Sequence, residues 1–79
     1  MEKTISNLRK ECKANGIKLT IKTYSHGPHA SFEVDGIRST SIMTQADYDK
    51  RAEKFAVIRQ LKTKYAGVTK DGNLVYGLK

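Results

Sequence analysis

The sequence predicts an α+β fold: a three-stranded antiparallel sheet with two helices packed on one face (α-β-β-β-α) and a short C-terminal β-hairpin or extra strand. Three observations lead there. Two stretches repeat apolar residues at three- and four-residue steps, the segment between them alternates with a period of two, and Asp-Gly pairs stand where hairpins need them. With 79 residues the chain makes one small domain, 1–79, and no second one.

Ile5, Leu8 and Cys12 form the stripe of a first helix from about Thr4 to Ala14, and Asn15-Gly16 supplies residues that accept the left-handed conformation ending it. From Ile17 the period is two, with Ile17, Leu19, Ile21 and Thr23 on one side and Lys18, Thr20, Lys22 and Tyr24 on the other. Ser25-His26-Gly27-Pro28 reads as a turn. Ala30, Phe32 and Val34 then alternate with His29, Ser31 and Glu33 up to Asp35-Gly36, a two-residue hairpin signal. Ile37 to Met43 is expected as a third, polar edge strand. Thr44 followed by Asp47 resembles a helix cap, and Tyr48, Ala52, Phe55, Ile58, Leu61 and Tyr65 carry a second helix to about Ala66, where Gly67 stops it. Asp71-Gly72 divides Val68-Thr69-Lys70 from Asn73-Leu74-Val75-Tyr76 as a terminal hairpin or extra strand. The expected core is Leu19, Ile21, Phe32, Val34, Ile37, Phe55 and Ile58 against Ile5 and Leu8. A core this small leaves room for a monomer or a weak homodimer through the polar edge.

Fifteen Lys and Arg against eight Asp and Glu give a net charge of +7, so the partners to expect are anionic. No apolar run is long enough for a membrane span, and polar residues interrupt every apolar one near Met1. The single cysteine, Cys12, has no internal disulfide partner and fits a reducing cytoplasm.

Catalytic and metal readings are weak. Ser25, His26, His29 and Asp35 lie near one another in sequence, but a surface turn of so small a domain rarely fixes nucleophile, base and acid in one geometry. His26 and His29 with Cys12 do not make the usual four-ligand zinc set. No glycine opens a helix as a phosphate loop requires. The expectation is therefore no enzyme, no metal and no cofactor.

The polar face of the sheet says more. Lys18, Thr20, Lys22 and Tyr24 project together from one strand, and Arg38 of the edge strand joins them in the simplest register. Such a face suits phosphate oxygens, with Tyr24 stacking on a base or donating to a phosphate. A merely solvated face is the plain alternative. A second basic group, Lys3, Lys10 and Lys13 on the first helix with Lys50 and Lys64 on the second, is explained almost as well by ordinary solubility, except for its sign: no acidic residue occurs from Lys54 to Lys70.

The order of elements, with Ser25-His26-Gly27-Pro28-His29 between the first two strands, Phe32-Glu33-Val34 after it, and Lys50-Arg51-Ala52-Glu53-Lys54-Phe55-Ala56-Val57-Ile58-Arg59-Gln60-Leu61 on the last helix, resembles a double-stranded-RNA-binding domain from Ile5 to Leu61. The resemblance implies that the Gly-Pro-His loop enters an RNA minor groove while lysines at the start of the last helix hold phosphates, roles that fall to His29 and Lys50. His29 follows Pro28 directly, and Asp49 and Glu53 stand where that family prefers Lys. Leu8-Arg9-Lys10-Glu11, Gly16-Ile17-Lys18-Leu19 and Lys22-Thr23-Tyr24-Ser25-His26-Gly27 are in turn similar to small uncharacterised domains carried by bacteriophages and mobile elements. That likeness implies an accessory protein acting in a bacterial host cytoplasm.

Two functional expectations result. The first is a nucleic-acid-binding module using Lys18, Lys22, Tyr24, His26, His29, Arg38 and Lys50. The second is a phage-type accessory protein that binds, and inhibits through, an acidic surface of a host protein.

Overall fold

A computed structural model describes residues 3–78. The elements are α1 (Ile5–Ala14), β1 (Lys18–Tyr24), β2 (Gly27–Val34), β3 (Ile37–Arg38), α2 (Gln45–Lys64), β4 (Thr69–Lys70) and β5 (Asn73–Leu74). The first three strands form one antiparallel sheet in the order β1-β2-β3, and β4 pairs with β5 as a separate hairpin. This is the α+β, α-β-β-β-α order with a C-terminal hairpin.

Both helices start where a threonine can cap them. Thr4 Oγ1 accepts from Asn7 N–H at 3.1 Å and Thr44 Oγ1 from Asp47 N–H at 3.2 Å, each satisfying a donor that the first turn leaves orphaned. Both Asp-Gly pairs form the expected tight turns. Asp35 and Gly36 have φ of 53° and 80°, and Asp71 and Gly72 have 53° and 81°, the pair of positive angles that a two-residue hairpin of the right twist needs.

Inner-face residues Ala30, Phe32 and Val34 of β2 are buried with Leu8 and Cys12 of α1 and Phe55, Ile58 and Leu61 of α2. Ile5, Leu19 and Ile21 are only half-buried and pack around this centre, and Ile37 is likewise half-exposed. The rest of the core comes from Ile17 and from Tyr65, Val68 and Val75, because the chain after α2 folds back onto the sheet. Lys64 Nζ reaches Glu11 at 2.9 Å and the Tyr65 hydroxyl donates to the same carboxylate, which ties the end of α2 to α1.

Two strand boundaries differ from expectation. Gly27 and Pro28 belong to β2 instead of a longer turn, since the ladder closes at Tyr24↔Gly27 and only Ser25-His26 turn. Proline is tolerated there because Thr23↔Pro28 is a non-hydrogen-bonded pair, so β1 has no need of the missing N–H. The third strand, expected to Met43, ends at Arg38. Ser41 N–H turns back to Arg38 O at 3.0 Å, and Ile42 is fully exposed. The place beside the first half of β2 is taken instead by the tail: Tyr76 N–H donates to Pro28 O and Ala30 N–H to Tyr76 O, both at 2.9 Å.

Candidate nucleic-acid interface

The register decides what stands on the outer face. Direct partners across a ladder share a face, so Lys22 lies beside His29, and Thr20 beside Ser31. Lys18 lies beside Glu33, which in turn lies beside Arg38. Lys18, Lys22 and Arg38 are exposed, and among the described residues none of them makes an ion pair. The face therefore carries three cations and one carboxylate. Glu33 sits within the Lys18–Arg38 row and offsets part of its charge, whereas the Lys22 row contains no acid.

Beyond Lys22 the face ends in aromatic rings. Tyr24 and His26 stack with centroids 5.6 Å apart and planes 3° apart, as the side chains on either side of a tight turn can. His29 meets Tyr24 edge-on at 6.2 Å. Tyr76, delivered by the tail, meets His26 at 5.3 Å and 66°. Gly27 makes room for it, since a Cβ there would stand 3.3 Å from Cε2 of Tyr76 and the φ of 124° disfavours any other residue. Tyr24 and Tyr76 remain 50% and 43% exposed, so each ring keeps surface for a ligand.

Lys18, Lys22, Tyr24, His29 and Arg38 thus share one face, with His26 at its end. Lys50 does not join them. Arg51, its neighbour, pairs with Asp35 at 3.2 Å in the β2–β3 turn, while His29 lies six residues back along β2, roughly 20 Å away at the usual rise of a strand. Lys62, further along α2, stands over the Phe32 ring at 5.7 Å, so α2 runs from the Asp35-Gly36 end toward the Ser25-His26 end. The shortness of β3 is the cause: the chain enters α2 without first travelling back along the sheet.

Sequence reasoning missed Tyr76 and the offset by Glu33. The alternation of β2 already places Glu33 beside His29 and Ser31, so that signal was present. Nothing local shows that Tyr76 lands against a turn more than forty residues earlier in the chain.

Elsewhere the titratable groups serve the fold. The Cys12 thiol is buried in the core and pushed up to about 11, by desolvation first and then by the Glu11 charge. Among the described residues no three His, Cys, Asp or Glu side chains gather as a metal site would require, and no helix is long and apolar enough to cross a membrane. Compared with protein-family models, curated proteins and solved structures, the chain matches none.

Proposed function

We propose that the protein binds single-stranded nucleic acid across the outer face of its sheet and performs no catalytic step. The observation that carries this reading is the row of Lys22 and His29 running into the exposed rings of Tyr24, His26 and Tyr76. Cations beside open aromatic faces are what an unpaired strand requires, because its phosphates need neutralising and its bases have no partner to stack on. Lys22, Lys18 and Arg38 hold phosphates, and Tyr24 and Tyr76 offer their faces to bases. Stacking of this kind contributes about 1–3 kcal/mol per base and tolerates any sequence.

Against the duplex-RNA geometry implied by the resemblance stand Asp49 and Glu53, whose carboxylates flank Lys50 in sequence and oppose the phosphates it would hold.

The test is a fluorescence-anisotropy titration with labelled single-stranded RNA, single-stranded DNA and duplexes of each, at low and moderate salt. Single strands should bind more tightly than duplexes and lose affinity as salt rises. Lys22→Glu should weaken binding at least tenfold, and Tyr24→Ala with Tyr76→Ala should weaken single strands more than duplexes. Absence of binding to all four probes at low salt would overturn the reading and leave an acidic protein surface as the partner that the charge suggests.

A further inference from the structure

The third-strand position beside β2 is filled at both ends and open between them. Ser39 N–H donates to Phe32 O at 2.9 Å on one side, and Tyr76 holds Pro28 O and Ala30 N–H on the other. Between the two, β3 has already left the sheet, and Gly77, with a φ of 88°, turns the tail away. The gap is a cavity of about 180 Å³. The alternation of β2 aims the Phe32 N–H into it, and none of these edge bonds uses that donor.

Its lining is one-sided in charge. Arg38 approaches from the outer face and Lys62 from α2 on the inner face, while Ser39, Thr40 and His29 bring further hydrogen-bonding groups. No carboxylate is among the lining residues, and neither cation has an ion-pair partner among the described residues. Glu33 stands beside Arg38 on the outer face and offsets part of its charge without lining the gap, so two cations held on opposite sides of an open strand edge still call for an anion between them.

We propose that this gap binds a phosphate monoester, either the terminal phosphate of a nucleic-acid strand or the phosphate of a free mononucleotide. A monoester is close to a dianion at neutral pH, matching two cations, whereas a phosphate inside a strand carries one charge. An internal phosphate must also let the strand both enter and leave, and here β3 and the tail close the two ends. His29 belongs both to this gap and to the ring cluster, so a group bound in the gap is one step from the stacking surface. For the strand-end source, the inference rests on the function proposed above; for the mononucleotide source it does not.

The experiment compares an oligonucleotide carrying a 5′- or 3′-terminal phosphate, the same oligonucleotide with hydroxyl ends, and AMP. Affinities are read by anisotropy competition and the Phe32 amide is followed by ¹H–¹⁵N NMR. Lys62→Met keeps the stem over Phe32 and removes the charge; Lys62→Arg restores the charge. A strand-end site gives a tenfold or greater preference for one phosphorylated end, lost in Lys62→Met and regained in Lys62→Arg, with the hydroxyl-ended strand unaffected. A mononucleotide site gives an AMP-dependent shift of the Phe32 amide that Lys62→Met abolishes, even if no oligonucleotide binds, in which case the single-strand reading fails and the gap stands. Equal affinity for phosphorylated and hydroxyl-ended strands, together with a Phe32 amide that AMP leaves unmoved, overturns the proposal and leaves the sheet-face reading intact.

Discussion

Glu11 divides its carboxylate between two partners from the end of α2, the Tyr65 hydroxyl and the Lys64 ammonium. The hydrogen bond from Tyr65, followed by that from Lys64, holds its carboxyl below the ordinary 4.5. Tyr65 is moved the opposite way, up to about 12, by burial first and by its bond to Glu11 second. Because the folded-state value of Glu11 is depressed, its contribution to stability is fully present above pH 4.5 and is lost as pH falls through that lower value. Urea midpoints measured between pH 7 and pH 3 should therefore show the native chain converging on Glu11→Gln as the solution becomes acid; a constant difference across that range would contradict the assignment. Tyr65→Phe should cost about 1–2 kcal/mol at neutral pH, the lower part of the range for a bond to a charged group because the carboxylate is partly exposed. Cys12 gives an independent readout of the same packing. With its thiol at about 11 and buried, alkylation at pH 8 should be slow in the native chain and should accelerate in urea only as the domain unfolds.

At the scale of elements, the helices, β1, β2 and both Asp-Gly turns were legible because each is written in local chemistry: a cap, a period, a pair of residues that accept positive φ. The end of β3 and the placement of the tail were not, because one strand position beside β2 is contested by two segments far apart in the chain. Ser39-Thr40-Ser41 is polar enough to leave the sheet, and by entering it the tail buries Val75 and gives Tyr76 two ladder bonds. A pattern of alternation shows that Asn73–Tyr76 is β-like but not which strand it will meet. Gly77 is the residue on which this docking depends. A Cβ there would stand 2.6 Å from Ala30 O, and the φ of 88° is unfavourable for any L side chain. Gly77→Ala should therefore destabilise the domain by about 1–3 kcal/mol. It should also release Tyr76 from His26, seen as loss of their ring-to-ring nuclear Overhauser contact and of the slow exchange of the Ala30 amide. Retention of both in a variant of native stability would show that the tail does not depend on this turn.

At the scale of the whole molecule, composition reveals a surplus of positive charge but not its distribution, and the distribution is what separates a binding face from a soluble surface. The exposed lysines of α1, Lys10 and Lys13, lie in the helix layer, whereas Lys18, Lys22 and Arg38 lie on the outer sheet face with the rings. Alternation of β1 made most of that face readable; the cross-strand position of Glu33 and the run of α2 away from His29 needed the register and the true length of β3. The two groups of cations make different predictions about salt. A single strand that neutralises the three cations of the sheet face should show a logarithmic salt slope of roughly −2, from about 0.7 counterions released per phosphate contact. Lys22→Gln should then reduce the slope by about 0.7, while the double replacement Lys10→Gln, Lys13→Gln should leave it unchanged despite removing twice the charge. If the double variant lowers the slope more than Lys22→Gln does, the strand is responding to net charge alone, and the ordered face of Lys22, Tyr24 and Tyr76 has no special part in binding.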